Sequence, residues 1–359
     1  MTVTSSPLDI TERYLDEFVS PQANLIDHDS QALQTAFQGL GDRALLTLRA
    51  DNQVLFRRFQ ETISRYSGAL AFLQTQHQSA AAMIARSPNT ALKGEYLPYL
   101  AQGERRVGVG FSHLRRPGTP PMQAHAVPGG YQLQGFVPWI TGWTLFDSFI
   151  LGAMLPDGTS VFGMMPFEST QDDQGGELKL SPPLEMAALT STNTVTAEVT
   201  HWFLADDQVL FLKPPNWMHH NSQTNVLHHG FFALGCARAG LDILHQAAER
   251  KDLPFLKTTW TRLDAELQAC RQAFFESEGE GVTSYGDRLR LRAWAIDLAG
   301  RCSYGAVAAS GGAANSLGHP AQRVYREALV YAVSGQTCDV MEATLNRLSS
   351  AEFCPETGA

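Results

Sequence analysis

Apolar residues recur at intervals of three and four through Leu45, Leu46, Leu48, Val54, Leu55 and Phe59, and again through Ile63, Leu70 and Leu73, the spacing of a helix with one buried face. This predicts a helical N-terminal domain over 1–105, closing in Gly94-Glu95-Tyr96-Leu97-Pro98-Tyr99-Leu100-Ala101-Gln102-Gly103, where Pro and Gly break the period. From about 107 to 211 the runs become short and alternating, separated by Pro-Gly, Gly-Gly and Asp-Gly pairs. That pattern predicts an antiparallel barrel or sandwich over 106–213. In it Gly130-Tyr131-Gln132-Leu133-Gln134-Gly135-Phe136 reads as a turn and strand with Tyr131, Leu133 and Phe136 on one face. Beyond Pro214-Pro215 the helical period returns in four stretches, about 226–249, 258–276, 287–310 and 321–345. Four long helices predict a C-terminal four-helix bundle over 214–359. Helix, strand and helix blocks in that order describe an α+β chain.

A length of 359 residues exceeds what one core covers. With 44% hydrophobic and 18% charged residues the chain is neither disordered nor built around a bilayer span. The start, Met1-Thr2-Val3-Thr4-Ser5-Ser6-Pro7-Leu8-Asp9, has no basic region and no apolar core, so a cytoplasmic location is expected. The net charge of -9 argues against nucleic acid as a partner. Cys236, Cys270, Cys302, Cys338 and Cys354 are odd in number and lack metal-ligand spacing. Reduced thiols and no metal site are expected.

The run Pro138-Trp139-Ile140-Thr141-Gly142, with Phe111-Ser112-His113 upstream, resembles acyl-CoA dehydrogenase-type flavoproteins. The likeness extends from the Tyr-Leu-Pro turn at 96–103 to Arg323-Val324-Tyr325-Arg326-Glu327-Ala328. It implies the fold of that family and a bound flavin, FAD in the first instance with FMN as the alternative. In the family the tryptophan lies along the flavin ring, a threonine donates near N5, and a hydroxyl residue binds the pyrimidine. The resemblance carries these roles to Trp139, Thr141 and the Phe111-Ser112 pair. Arg250, in Glu249-Arg250-Lys251, corresponds to an arginine reaching the FAD pyrophosphate of a neighbouring subunit, a task suited to a guanidinium. Gly311-Gly312 corresponds to a pair approached by the adenosine half, where a missing Cβ permits contact. A homo-oligomer is implied. The glutamine that the family places before that pair is absent, Ala308-Ala309-Ser310 standing there.

The family's catalytic glutamate is also absent. Its usual position falls on Ser334 or Gly335, and the alternative one near Asn225 in Asn221-Ser222-Gln223-Thr224-Asn225-Val226-Leu227-His228-His229, which has no acid. The candidates for a base are His228, as a neutral imidazole, and Asp339, one turn beyond Gly335. Two adjacent histidines cannot share one helical face, so at most one of His228 and His229 points inward, the alternative being a capped or solvent-facing pair. His113-Leu114-Arg115-Arg116-Pro117-Gly118 reads as a basic loop over the pocket or as a solvated one.

The resemblance therefore implies a flavin-dependent oxidoreductase moving hydride between an acyl-thioester-like substrate, a CoA thioester being the economical choice, and flavin N5. Partners of that role are the small-molecule substrate and an electron-transfer flavoprotein. A flavin monooxygenase on the same fold, supplied with reduced flavin by a separate reductase, fits the lost glutamate better. A non-catalytic scaffold is the third alternative, disfavoured by the retention of Ser112, Trp139 and Thr141.

Overall fold

The computed structural model describes residues 6–116, 118, 120–277 and 283–349, so the expectations for Pro117 and Cys354 fall outside it. The chain divides into two compact units, Met1–Ser222 and Gln223–Ala359.

Among the described residues of the first unit seven α-helices precede the sheet: α1 (Pro7–Tyr14), α2 (Ala23–Ile26), α3 (Ser30–Gly41), α4 (Leu48–Asp51), α5 (Gln53–Tyr66), α6 (Gly68–Ala85) and α7 (Thr90–Leu100). Their starts are written locally. Ser6, Asp29, Asn52, Ser67 and Asn89 each accept from a backbone N–H three residues on, satisfying an orphan donor of α1, α3, α5, α6 and α7. The break expected at Pro98 does not occur, and α7 runs through it to Leu100. Burial of Leu92, Tyr96 and Leu100, one face of that helix, outweighs the lost hydrogen bond. Those side chains join Ala80, Ala81 and Ile84 of α6 and Val107, Ile150, Phe162 and Leu210 of the sheet in one core.

The sheet has nine strands: β1 (Val107–Gly110), β2 (Met122–Val127), β3 (Gly130–Ile140), β4 (Ser148–Met154), β5 (Ser160–Pro166), β6 (Thr170–Gln171), β7 (Glu177–Leu180), β8 (Val195–Ala205) and β9 (Val209–Lys213). Their order is β6-β7-β8-β3-β2-β4-β5-β9, with β1 also on β4. The pairing is antiparallel except at β4, which lies parallel to β1 and β2. The register of β3 with β8 shifts between Leu133 and Gly135, where a step of two residues on β3 meets a step of three on β8, so the extra residue lies on β8 and β3 keeps its alternation. A side chain at Gly135 would run into the Pro121 carbonyl, and its φ of 138° suits glycine. Leu133 and Val137 therefore share the inward face while Phe136, expected on it, faces outward, 43% exposed, and Ile140 joins the inward face after the second shift, between Val137 and Ile140.

The short helix α8 (Trp217–Thr224) spans the division. The second unit holds α9 (Gly230–Lys251), α10 (Pro254–Glu276), α11 (Tyr285–Ser310), α12 (Pro320–Val333) and α13 (Cys338–Ser349). Among the described residues the last of the four expected stretches, 321–345, is divided into α12 and α13, because it breaks at Ser334 and Gly335, the latter with φ 61°. Helices α9 and α11 approach closely at Gly240, where a Cβ would lie 2.7 Å from the Cys302 backbone. Cys236, Cys270 and Cys302 are buried free thiols. Among the described residues no helix is long and apolar enough to cross a membrane, and no cluster of His, Cys, Asp and Glu could hold a metal ion.

Candidate functional site

In the first unit β1 and β3 end side by side. A Cβ on Gly108 would lie 3.3 Å from the Thr141 carbonyl oxygen, and one on Gly110 3.2 Å from Ile140 Cγ1. Glycine at both positions lets the strands lie this close. The structure therefore brings Phe111-Ser112 beside Trp139-Ile140-Thr141. Phe111 packs edge-on against Phe162, ring centroids 5.4 Å apart. Ser112 opens a short 3-10 turn to Arg115 and is half-buried.

Pro138 and Trp139 fall at a second irregularity in the β3–β8 register, between Val137 and Ile140. Proline has no N–H to give a ladder. Out of the ladder, the Trp139 indole is 42% exposed, and no ring of the described residues packs on it. Thr141 is buried beneath. Its hydroxyl lies 3.0 Å from that of Thr194, which lies 3.3 Å from that of Thr192, whose Oγ1–H donates to the Leu189 carbonyl at 2.7 Å.

The loops carrying this row are held in costly backbone conformations. Thr144, Leu189 and Asn193 have φ of 66°, 57° and 45°, each worth roughly 1–3 kcal/mol of strain in a non-glycine residue. Hydrogen bonds overdetermine them: Gly142 N–H donates to Thr192 O (2.8 Å), and Asn193 Nδ2 to Trp143 O (3.3 Å) and Thr144 Oγ1 (3.0 Å). Strain of this kind gathers at ligand sites. Sequence reasoning passed over Thr192 and Thr194, although the hydroxyl-rich run Thr190-Ser191-Thr192-Asn193-Thr194 was a signal.

His113 does not join an exposed basic loop. It is buried, and its Nε2–H donates to the Gly152 carbonyl at 2.9 Å, leaving Nδ1 as a buried lone pair with no hydrogen-bond partner. Burial depresses its pKa to about 4, so the ring is neutral. Arg116 is the exposed cation of this turn.

In the second unit, Arg250 is exposed in the last turn of α9. Its neighbour Lys251 donates from Nζ to the Ala309 carbonyl at 2.6 Å, tying that helix end to the one where Gly311 and Gly312 follow α11. Neither glycine would meet another atom of the chain if given a Cβ. The arginine and the glycine pair thus share one end of the bundle, open to an outside group.

At the turn between α12 and α13 the Ser334 hydroxyl donates to Val330 O (2.9 Å), and Arg292 Nη2 donates to the Ser334 carbonyl (2.8 Å). Arg292 is fully buried, which pushes its pKa down to about 9. A side chain at Gly335 would overlap the imidazole of His229, with Nε2 2.7 Å and Cγ 2.9 Å from its Cβ. The histidine pair precedes α9 rather than lying on it, so the helical-face argument does not apply. His228 is buried and meets His229 edge-on at 5.3 Å. Asp339 is half-buried and accepts from the Tyr285 hydroxyl at 2.8 Å.

Comparison with solved structures decides the fold. Butyryl-CoA dehydrogenase from Megasphaera elsdenii superposes with a TM-score of 0.77 at 15% identity, covering 97% of this chain and 100% of that one. The chain has the acyl-CoA dehydrogenase fold. An acyl-CoA dehydrogenase from Geobacillus kaustophilus gives 0.77 at 13% identity over 97% and 99% of the two chains. A glutaryl-CoA dehydrogenase from Mycobacterium smegmatis in complex with FADH2 gives 0.75 at 16% over 98% and 96%. No family model and no curated protein matches the sequence.

Proposed function

We propose that this protein is a flavin-dependent oxidoreductase holding FAD against the Trp139–Thr141 edge of its sheet. The observation that supports the reading is the meeting of the β1 and β3 ends at Gly110 and Ile140, where β1 leads into Ser112 and β3 carries the 42% exposed Trp139 just before Thr141. These residues fit a flavin. A flat apolar face suits the isoalloxazine ring, and short hydroxyls at its margin suit polar ring atoms. The flavin complex of the glutaryl-CoA dehydrogenase noted above supports the same cofactor. When bound, the flavin supplies a hydride acceptor at N5, while the chain orients it and tunes its polarity.

A thioester-like substrate is the first expectation, but neither Ser334 nor Gly335 is a carboxylate and the space at Gly335 belongs to His229. General-base catalysis is worth about 10²- to 10⁴-fold, so ordinary acyl-CoA dehydrogenation is slow unless His229, His228 or Asp339 serves as base. That same feature favours the second reading, a monooxygenase using externally reduced flavin. The absorbance spectrum of the purified, FAD-loaded protein is the test. Bleaching under acyl-CoA without dithionite supports the dehydrogenase, oxygen consumption with supplied reduced flavin supports the monooxygenase, and absence of bound flavin removes both.

The reading extends to a homo-oligomer formed through the C-terminal helices. Tyr325, Leu329 and Val333, at four-residue spacing on α12, are 48%, 57% and 56% exposed. An apolar stripe of this kind marks an interface, and Arg250 with Gly311-Gly312 would reach a neighbour's cofactor.

A further inference from the structure

We propose that Thr192 and Thr194 are positioning residues that fix the Thr141 hydroxyl as a hydrogen-bond acceptor toward the flavin edge. This rests on the flavin reading and adds a polarity to it. A hydroxyl has one proton to give. The Leu189 carbonyl can only accept, so the proton of Thr192 is spent on that 2.7 Å bond. The 3.3 Å contact between Thr192 and Thr194 then takes the proton of Thr194, and the 3.0 Å contact between Thr194 and Thr141 takes that of Thr141. No other assignment places a proton in all three contacts.

The three residues are 2%, 7% and 6% exposed in that order, so water does not readily substitute for a missing partner. Each donated bond also polarises the next. The row therefore ends at Thr141 with lone pairs, and with no proton directed outward. Oxidised flavin carries a lone pair at N5 and reduced flavin an N–H. An acceptor at that edge favours the reduced form, the reverse of what a donating threonine does.

The test is the two-electron midpoint potential of the full chain loaded with FAD, compared with Thr192→Val, Thr194→Val, Thr192→Ser and Thr141→Val. Removing either supporting hydroxyl releases the Thr141 proton to point outward. The reduced-to-oxidised ratio should fall about tenfold, the worth of one hydrogen bond, which is about 30 mV for two electrons. Thr192→Ser keeps the donor and should keep the parent potential, and FAD uptake by each variant reports that the fold persists.

Lowered potentials in both valine variants, with serine rescue, support the assignment. Unchanged or raised potentials in both, with FAD bound, overturn it. If those two are silent while Thr141→Val shifts the potential, the flavin reading stands and only the polarity is wrong. A chain that binds no FAD overturns both together.

Discussion

Replacing Gly335 by alanine separates a constrained turn from an ordinary loop. At φ 61° a Cβ is disfavoured by roughly 1–2 kcal/mol. Overlap with the His229 ring, whose Nε2 and Cγ lie 2.7 and 2.9 Å from that Cβ, adds about 1–3 kcal/mol, the usual cost of overpacking. The total is about 2–5 kcal/mol. In a His229→Ala background the steric part vanishes and about 1–2 kcal/mol is left, so the coupling in the double-mutant cycle is about 1–3 kcal/mol. Hydrogen exchange read by mass spectrometry on peptides covering α12 and α13 suits the measurement, because it reports the opening of this region within the full chain. A cost under about 0.5 kcal/mol, or an equal cost in both backgrounds, would refute the packing of His229 on Gly335. The same geometry bars Gly335→Glu as a simple way to restore a carboxylate. Only paired removal of the imidazole makes room.

Thr141→Val should leave the fold and FAD binding intact while changing flavin reduction, since one hydrogen bond to a charge-developing group is worth about 1.5–3 kcal/mol; unchanged stopped-flow kinetics would remove Thr141 from the site. Leu329→Asp should shift sedimentation toward monomer at micromolar concentration, and a parent chain already monomeric with flavin bound would defeat the oligomer proposal. Burial holds His77 and His113 at about 4, below the ordinary 6.5. The unfolded chain therefore binds more protons between those values. The stability these rings contribute is complete above pH 6.5 and is lost as pH falls toward 4, with a slope approaching about 2.7 kcal/mol per pH unit for the two together. His113→Gln should roughly halve that slope in urea titrations across the range, and an unaltered slope would contradict the burial of a neutral ring.

The order of helix, strand and helix was legible because its periods are long-range averages, and the N-caps are local chemistry in plain view. The Ser112 and Trp139–Thr141 pieces could be picked out, but their adjacency depends on Gly108 and Gly110 lying against β3, a contact no periodicity encodes. Phe136 departs from the expected face because the irregularity at Gly135 puts its extra residue on β8, so β3 alternates strictly from Leu133 to Val137 and Phe136 points the other way. The break at Ser334 and Gly335 was hidden by apolar residues on both sides that keep helical spacing across it. The Thr192 and Thr194 hydroxyls were invisible as a row, since their meaning arises only opposite Thr141. His229 was underrated because its partner is a glycine, and an absent side chain leaves no mark in a motif.

The loop bearing the threonine row is anchored to the start of the chain. Asp27 accepts from Leu189 N–H at 2.8 Å across a separation of 162 residues. Its carbonyl receives Thr190 Oγ1–H (3.1 Å) and the Ile26 carbonyl receives Ser191 Oγ–H (2.6 Å). During synthesis at about 5–20 residues per second, a separation of 162 residues keeps Asp27 waiting roughly 10–30 s for the donors that bury it. The opening helices can settle among themselves in that interval, but the hydroxyl row acquires its geometry only when the ends of this long span meet. Loss of the first thirty residues would leave every strand in the chain and still deprive the loop of Thr192 and Thr194 of the anchor that sets it against Thr141.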